Sequence, residues 1–193
     1  LAELSDSELA VEPNAQQTAP NTTGAVSESF NEDPDAYREL DWLELVPDDY
    51  SFDKLFDMVQ EKFPDVDFMV LSDDDDRAIQ ALDYLRQLTD QAPARTDMDG
   101  QRVRVPGFIV PLDPEGEAIK NFLLVPYYGA CIHTPPPPAN QVIVVRSPEP
   151  YEQADLFAPV WVNGSISAVR YEGDLAAAGY ELEADLVEPY EYF

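Results

Sequence analysis

The sequence predicts an α+β fold: an N-terminal helical segment followed by a small OB-like β-barrel of about five strands. Three observations carry this expectation. Apolar residues recur at helical spacing only before residue 90. From Asp99 the pattern changes to short β-branched and aromatic runs bounded by Gly, Pro, Asn and Asp. Glycines interrupt two of those runs, at Gly107 and Gly164, where a strand would bend or bulge for a small sheet to close on itself. An open sheet packed on the helices is the alternative arrangement.

Residues 1–35 are dominated by small, polar and acidic side chains. Such a segment buries too little apolar surface to offset its ordering entropy, so it reads as a disordered acidic arm, with one short amphipathic piece at Leu1–Leu9. Residues 36–193 then form a single domain, with a helical part at 36–98 and a barrel part at 99–193. In the helical part, Leu40, Trp42, Leu43, Leu45 and Val46 precede Pro47, an apolar anchor followed by a breaker. Phe52, Leu55, Phe56, Val59 and Phe63 repeat at helical spacing behind Ser51, a candidate cap. Ile79, Leu82, Leu85 and Leu88 share one face of a second helix. The four aspartates Asp73–Asp76 fall at its start, where negative charge meets free N–H groups. The run lacks the alternating ligands, glycine and later glutamate of a calcium loop.

Five segments read as strands. The first holds Val103, Val105, Ile109 and Val110 around a bend at Pro106–Gly107. Asn121–Tyr128 and Gln141–Ser147 are continuous apolar runs. The segment Pro159–Tyr171 contains Gly164 as a candidate bulge. In the last strand Tyr180, Leu182, Ala184 and then Leu186 or Val187 alternate toward one face. Between the last two, Glu172–Gly179 reads as a short helical turn.

Charge narrows the function. The chain of 193 residues carries 11 basic against 39 acidic residues, a formal net charge of −28. Nucleic acid and anionic lipid surfaces are poor partners for such a surface, because both reward a basic footprint. No run of 18 or more apolar residues offers a membrane span. A single cysteine forbids an internal disulfide. The chain begins at Leu1 rather than Met and so reads as processed or trimmed. The acidic excess lies mostly in residues 1–100, which leaves the predicted barrel as the less charged part and the part suited to meet a ligand.

The stretch "YYGACIHTPPPPANQ", Tyr127 to Gln141, holds the only cysteine, Cys131, and the only histidine, His133. On an extended backbone their side chains point to the same face. Thr134 precedes a proline and is pushed to extended dihedrals, and Pro135, Pro136, Pro137 and Pro138 predict a stiff polyproline II rod without backbone donors. Gly129 permits a tight turn, and Tyr127 and Tyr128 can wall the site with rings and hydroxyls. Three readings stand side by side. Thiolate and imidazole are the preferred donors for zinc or copper, with further ligands required from elsewhere. A cysteine beside a histidine base could be a nucleophile, although no third orienting residue can be assigned. Alternatively Cys131 is a small buried apolar residue and His133 a hydrogen-bonded edge residue.

The same stretch, together with "LDWLELVP", "DGQRVRVPGFIVPLD", "PVWVNGSI" and "AGYELEADLVEPYE", resembles a bacterial domain-of-unknown-function family over about Leu40 to Glu191. The resemblance rests most on Gly129, Ala130, Cys131, Ile132, His133, Pro135 to Pro138, Asn140 and Gln141. It implies an exported, periplasmic or lipid-anchored envelope protein, encoded beside ABC-type export systems, some of them linked to zinc homeostasis. The family's lipid-anchor cysteine does not occur in this sequence, so any membrane attachment would run through an anchor lost from it. The expected function is a non-enzymatic envelope protein that binds zinc first among transition metals, through Cys131 and His133, and serves an ABC-type transporter or its periplasmic component. The competing expectations are a metal-free adaptor that docks a protein through its proline and aromatic surface, and a Cys-His thiol enzyme.

Overall fold

The structure, a computed structural model, describes residues 36–67, 75–112, 119–129, 137–152 and 158–190. The expected arm at 1–35 lies outside the described residues. Eight elements follow one another: β1 (Arg38–Glu39), α1 (Phe52–Lys62), α2 (Asp76–Asp90), β2 (Gln101–Pro111), β3 (Ile119–Val125), β4 (Ile143–Tyr151), β5 (Val160–Glu172) and β6 (Ala177–Pro189). Short 3-10 turns lie at Trp42–Leu45, Thr96–Met98 and Ala139–Gln141. The fold is α+β: six strands form one sheet in the order β1-β2-β3-β4-β6-β5, and β2 also pairs with β5.

The pairing of β2 explains the glycine in its middle. Its first part, Gln101 to Gly107, runs antiparallel to β5, and its last part, Phe108 to Pro111, runs antiparallel to β3. The exchange of partners falls at Gly107. A Cβ there would sit 2.8 Å from both Leu124 Cγ and the Val125 carbonyl oxygen, so the close approach of β3 admits only glycine. Pro106 removes a backbone donor, and its carbonyl accepts a 2.6 Å hydrogen bond from the Trp42 indole. β4 and β6 run parallel, with Ile143 opposite Tyr180, while β5 and β6 are antiparallel.

The β5–β6 register shifts between Asn163 and Gly164, at the expected bulge. Across that shift β6 has one extra residue, Asp185, between the partners of Asn163 and Gly164. The inward alternation Tyr180, Leu182, Ala184 therefore resumes at Val187, which packs on the core, while Leu186 is left exposed. The helical turn expected at Glu172–Gly179 is absent. Glu172 pairs with Ala177, and the Gly173 N–H donates to the Ala176 carbonyl, closing a β-hairpin. Alanine-rich composition suggested a helix, and strand pairing overrides that weak propensity.

Two clusters occupy the two faces of the sheet. Val103, Val105, Phe122, Leu124, Ile143, Val145, Val162, Ile166, Tyr180 and Leu182 form the main core with Leu40, Trp42 and Leu45. Phe108, Val110, Leu123, Val125, Val142 and Val144 fill the opposite face of β2, β3 and β4. Burial on both faces accounts for the continuous apolar runs of β3 and β4, against the cleaner alternation of β6. Tyr180 locks the preceding segment to the sheet. Its fully buried hydroxyl donates to the Leu45 carbonyl at 2.7 Å and accepts from the Arg95 N–H at 2.6 Å.

The segment before α1 departs from the helical expectation. Arg38–Glu39 adds a short parallel strand to β2, and Trp42–Leu45 is a 3-10 turn with an Asp41–Glu44 capping box. Ser51 precedes α1 without making a side-chain cap. Asp75 caps α2 as its place in the acidic run suggests, accepting from the N–H groups of Arg77 and Ala78. α1 and α2 pack through Val59, Phe63, Ala78 and Ala81, a small cluster separate from the sheet's.

Candidate functional site

The segment Tyr127–Gln141 leaves the end of β3 and returns to the start of β4. The β3 ladder ends at Val125, three residues earlier than expected, since Pro126 has no N–H to offer. Tyr127 is half-buried against the second cluster, and the Tyr128 ring meets Phe108 edge-on with centroids 6.1 Å apart. Gly129 follows with φ +83°, a left-handed conformation that turns the chain and favours glycine. Residues 130–136, among them Ala130, Cys131, Ile132, His133, Pro135 and Pro136, lie outside the described residues. So do Asp73 and Asp74 of the acidic run.

The far end of the segment is held by several contacts. Pro137 is buried, and Pro138 has φ −54° and ψ 149°, near polyproline II values. The Ala139–Gln141 turn follows. Its Ala139 carbonyl lies so near Gly179 that a Cβ on that glycine would come within 3.0 Å, so the small residues at the start of β6 make a seat for the turn. Asn140 is fully buried and donates to the Pro93 carbonyl at 3.2 Å. Gln141 donates to the Trp42 carbonyl at 2.7 Å. Because Trp42 in turn donates to Pro106, the motif's end is tied through one side chain to the point where β2 changes partner. Asn140 and Gln141 thus act here as structural anchors of the segment.

Tyr127, Pro137 and Pro138 also form one wall of an open cleft of about 410 Å³. Phe52 at the start of α1 and Leu82 and Leu85 of α2 form the other, with Asp83, Arg86 and Thr89 as its polar members. The expected proline rod is therefore not free along its described half: it faces α2. The leucine stripe of α2, expected to be core, is turned partly outward, with Ile79 44% and Leu82 41% exposed. The reason is the choice of packing face. Ala78 and Ala81 let α2 approach α1 closely, which leaves the larger residues beside the cleft. Phe52, Leu82 and Leu85 went unrecognised as cleft residues. The available signal was a helix with two apolar faces, Ala78–Ala81 and Ile79–Leu82, where a helix on one core needs only one.

Two charged side chains line the cleft, Asp83 and Arg86. Arg86 lies 3.9 Å from Asp90 on the same helix. The carboxyl of Asp65 is held below its usual range by the Arg77 guanidinium that hydrogen-bonds it at 2.9 Å. Burial pushes the hydroxyls of Tyr50 and Tyr180 up. Among the described residues, no three His, Cys, Asp or Glu side chains group as a metal site. Also among them, no helix is long and apolar enough to cross a membrane.

Fold and segment together define an α+β protein with a single mixed sheet and a tethered cysteine–histidine–proline connection. The chain belongs to the DUF3299 family, described as proteins of unknown function, whose model matches residues 42–189. It is similar to a crystal structure of a DUF3299 family protein from Pseudomonas aeruginosa PAO1, at 34% sequence identity and a TM-score of 0.60. That similarity covers 82% of this chain and 99% of the other. Comparison with curated proteins finds no match.

Proposed function

We propose that this protein is a non-enzymatic binding protein of the cell envelope, and that its working surface is the Tyr127–Gln141 segment. In this reading Cys131 and His133 hold a transition metal, zinc first, and the protein serves an ABC-type transport system or its periplasmic component. The observation that carries it is the anchoring of the segment at both ends. Tyr127 packs on the second cluster and the Tyr128 ring meets Phe108 on one side, and Asn140 and Gln141 are hydrogen-bonded to Pro93 and Trp42 on the other. A short span fixed at both ends loses less entropy when a metal joins its donors. Thiolate and imidazole are the donor pair zinc prefers. The proposed platform for the segment is a closed OB-like barrel. Support for closure comes from β2, which pairs with β3 on one side and β5 on the other.

Calorimetric titration of the reduced, full chain with zinc, in excess magnesium to occupy surface carboxylates, tests the reading. One equivalent should bind at micromolar or tighter Kd, and Cys131→Ala with His133→Ala should abolish it. Binding weaker than about 0.1 mM, or unchanged in the double variant, overturns it.

A second reading, the metal-free adaptor, is favoured by a separate observation. Tyr127, Pro137 and Pro138 face an apolar cleft whose opposite wall, Phe52 and Leu82, is half open to solvent. Such a wall suits a docked protein segment.

A further inference from the structure

We propose that the cleft between α2 and the wall of Tyr127, Pro137 and Pro138 docks a basic, amphipathic segment of a partner protein, an inference that rests on the adaptor reading. The apolar part of the argument is geometric. Phe52 is 50% and Leu82 41% exposed, and both line a recess of about 410 Å³, within the range of sites that take bulky side chains. Large apolar residues left open around one concavity mark a binding surface more often than scattered exposed residues do.

The charge around the recess selects the occupant. Asp83 lines the cleft beside Leu82, and Asp49 and Asp53 lie within three residues of Phe52 in the chain; all three are exposed, while the lysine beside them, Lys54, donates to the Asp49 carbonyl at 3.1 Å. The one basic residue of the lining, Arg86, has Asp90 at 3.9 Å. An apolar floor with an acidic rim is complementary to a segment with leucine or aromatic anchors and flanking Lys or Arg. The same charges disfavour the occupants closest at hand. Residues 1–35 contain acidic residues and no Lys, Arg or His, so the chain's own arm is repelled. A second copy brings another net charge of −28.

Fluorescence anisotropy on the full chain tests this, with a labelled dodecapeptide of repeated Leu-Arg-Arg-Leu blocks as probe and Leu-Gln-Gln-Leu and Leu-Glu-Glu-Leu versions beside it. The basic peptide should bind at least about tenfold more tightly than the neutral one, and the acidic one should not bind. Leu82→Glu, Phe52→Glu and the pair Asp53→Lys with Asp83→Lys should each weaken the basic peptide at least about tenfold, with unchanged circular dichroism. Asp174→Lys, between β5 and β6, and Cys131→Ala with His133→Ala should leave it unchanged. A neutral peptide that binds equally well in a Leu82-dependent way keeps the docking reading and overturns the basic partner. Absence of binding by every peptide overturns both. Equal weakening by Asp174→Lys shows diffuse attraction and overturns the site. Displacement of the probe by a peptide of residues 1–35, or a concentration-dependent dimer lost in Leu82→Glu, replaces the proposed occupant with the arm or a second copy.

Discussion

The sheet and the helix pair bury their apolar residues in different ways. In the sheet, strands far apart in sequence interlock: β2 touches both β3 and β5, and Tyr180 on β6 holds Leu45 and Arg95 from the connecting segments. Among the described residues the buried members of the α1–α2 cluster are Val59, Phe63, Val66, Ala78 and Ala81, all from one stretch of chain. A region closed by long-range pairing unfolds as a whole, whereas a local cluster opens by itself at lower free energy. The cleft lies on the seam between the two, one wall from each. Its rigid wall carries the ends of the cysteine–histidine segment, and its softer wall supplies Phe52 and Leu82.

The same substitution placed in each region gives the largest contrast. Phe122→Ala in the sheet core should cost about 3–5 kcal/mol of global stability, read from urea denaturation. Phe63→Ala removes the same ring from the helix cluster. It should speed amide hydrogen exchange in α1 and α2 and leave the sheet's urea midpoint nearly unchanged. Equal loss of global stability in both variants would merge the two regions into one cooperative unit.

Next in size is Gly107→Ala. The added methyl meets Leu124 and the Val125 carbonyl at 2.8 Å, where backbone cannot yield, so the expected cost is about 1–3 kcal/mol, all of it in the sheet.

Tyr180→Phe probes the tie between the regions and adds a pH test. It leaves the Leu45 carbonyl and Arg95 N–H unpaired, at a cost of about 1–3 kcal/mol. Burial raises the Tyr180 hydroxyl above its ordinary value, so the folded chain keeps a proton that the unfolded chain releases above about pH 10. Its contribution is present below that pH and is lost as pH rises through the raised value. The variant should show a shallower alkaline loss of stability. Tyr50 and Tyr151, raised by burial with the same sign, keep some of the slope.

The smallest effect belongs to Asp65, whose carboxyl is lowered first by its hydrogen bond to Arg77. That contribution is present above the ordinary carboxylate value and fades as pH falls through the lowered one. Both side chains are about half exposed, so Asp65→Asn should change only the acid dependence of the helical signal and leave the sheet's untouched.

Much of this division was legible in the residues. The change from helical to strand grammar near Asp99 is real, because core-facing period survives in β2 through β6. Gly107 and Gly164 were readable as irregularities because a strand interior offers glycine no packing. The facing of α2 was not legible, since Ala78–Ala81 and Ile79–Leu82 are both apolar and only the position of α1 decides between them. The β1 strand was hidden for a related reason: two residues, Arg38 and Glu39, pair by backbone alone and carry no apolar period. Asn140 and Gln141 were marked by their motif, but their long-range carbonyl partners, Pro93 and Trp42, exist only once the chain has folded.

The proposed metal site rests on Cys131 and His133 binding one ion. X-ray absorption at the zinc edge of the loaded, full-length protein tests it most directly. A zinc ion held by this pair should show one sulfur near about 2.3 Å and a nitrogen near about 2.0 Å, the sulfur disappearing in Cys131→Ala. A shell of light oxygen and nitrogen atoms alone, unchanged by that substitution, would contradict it.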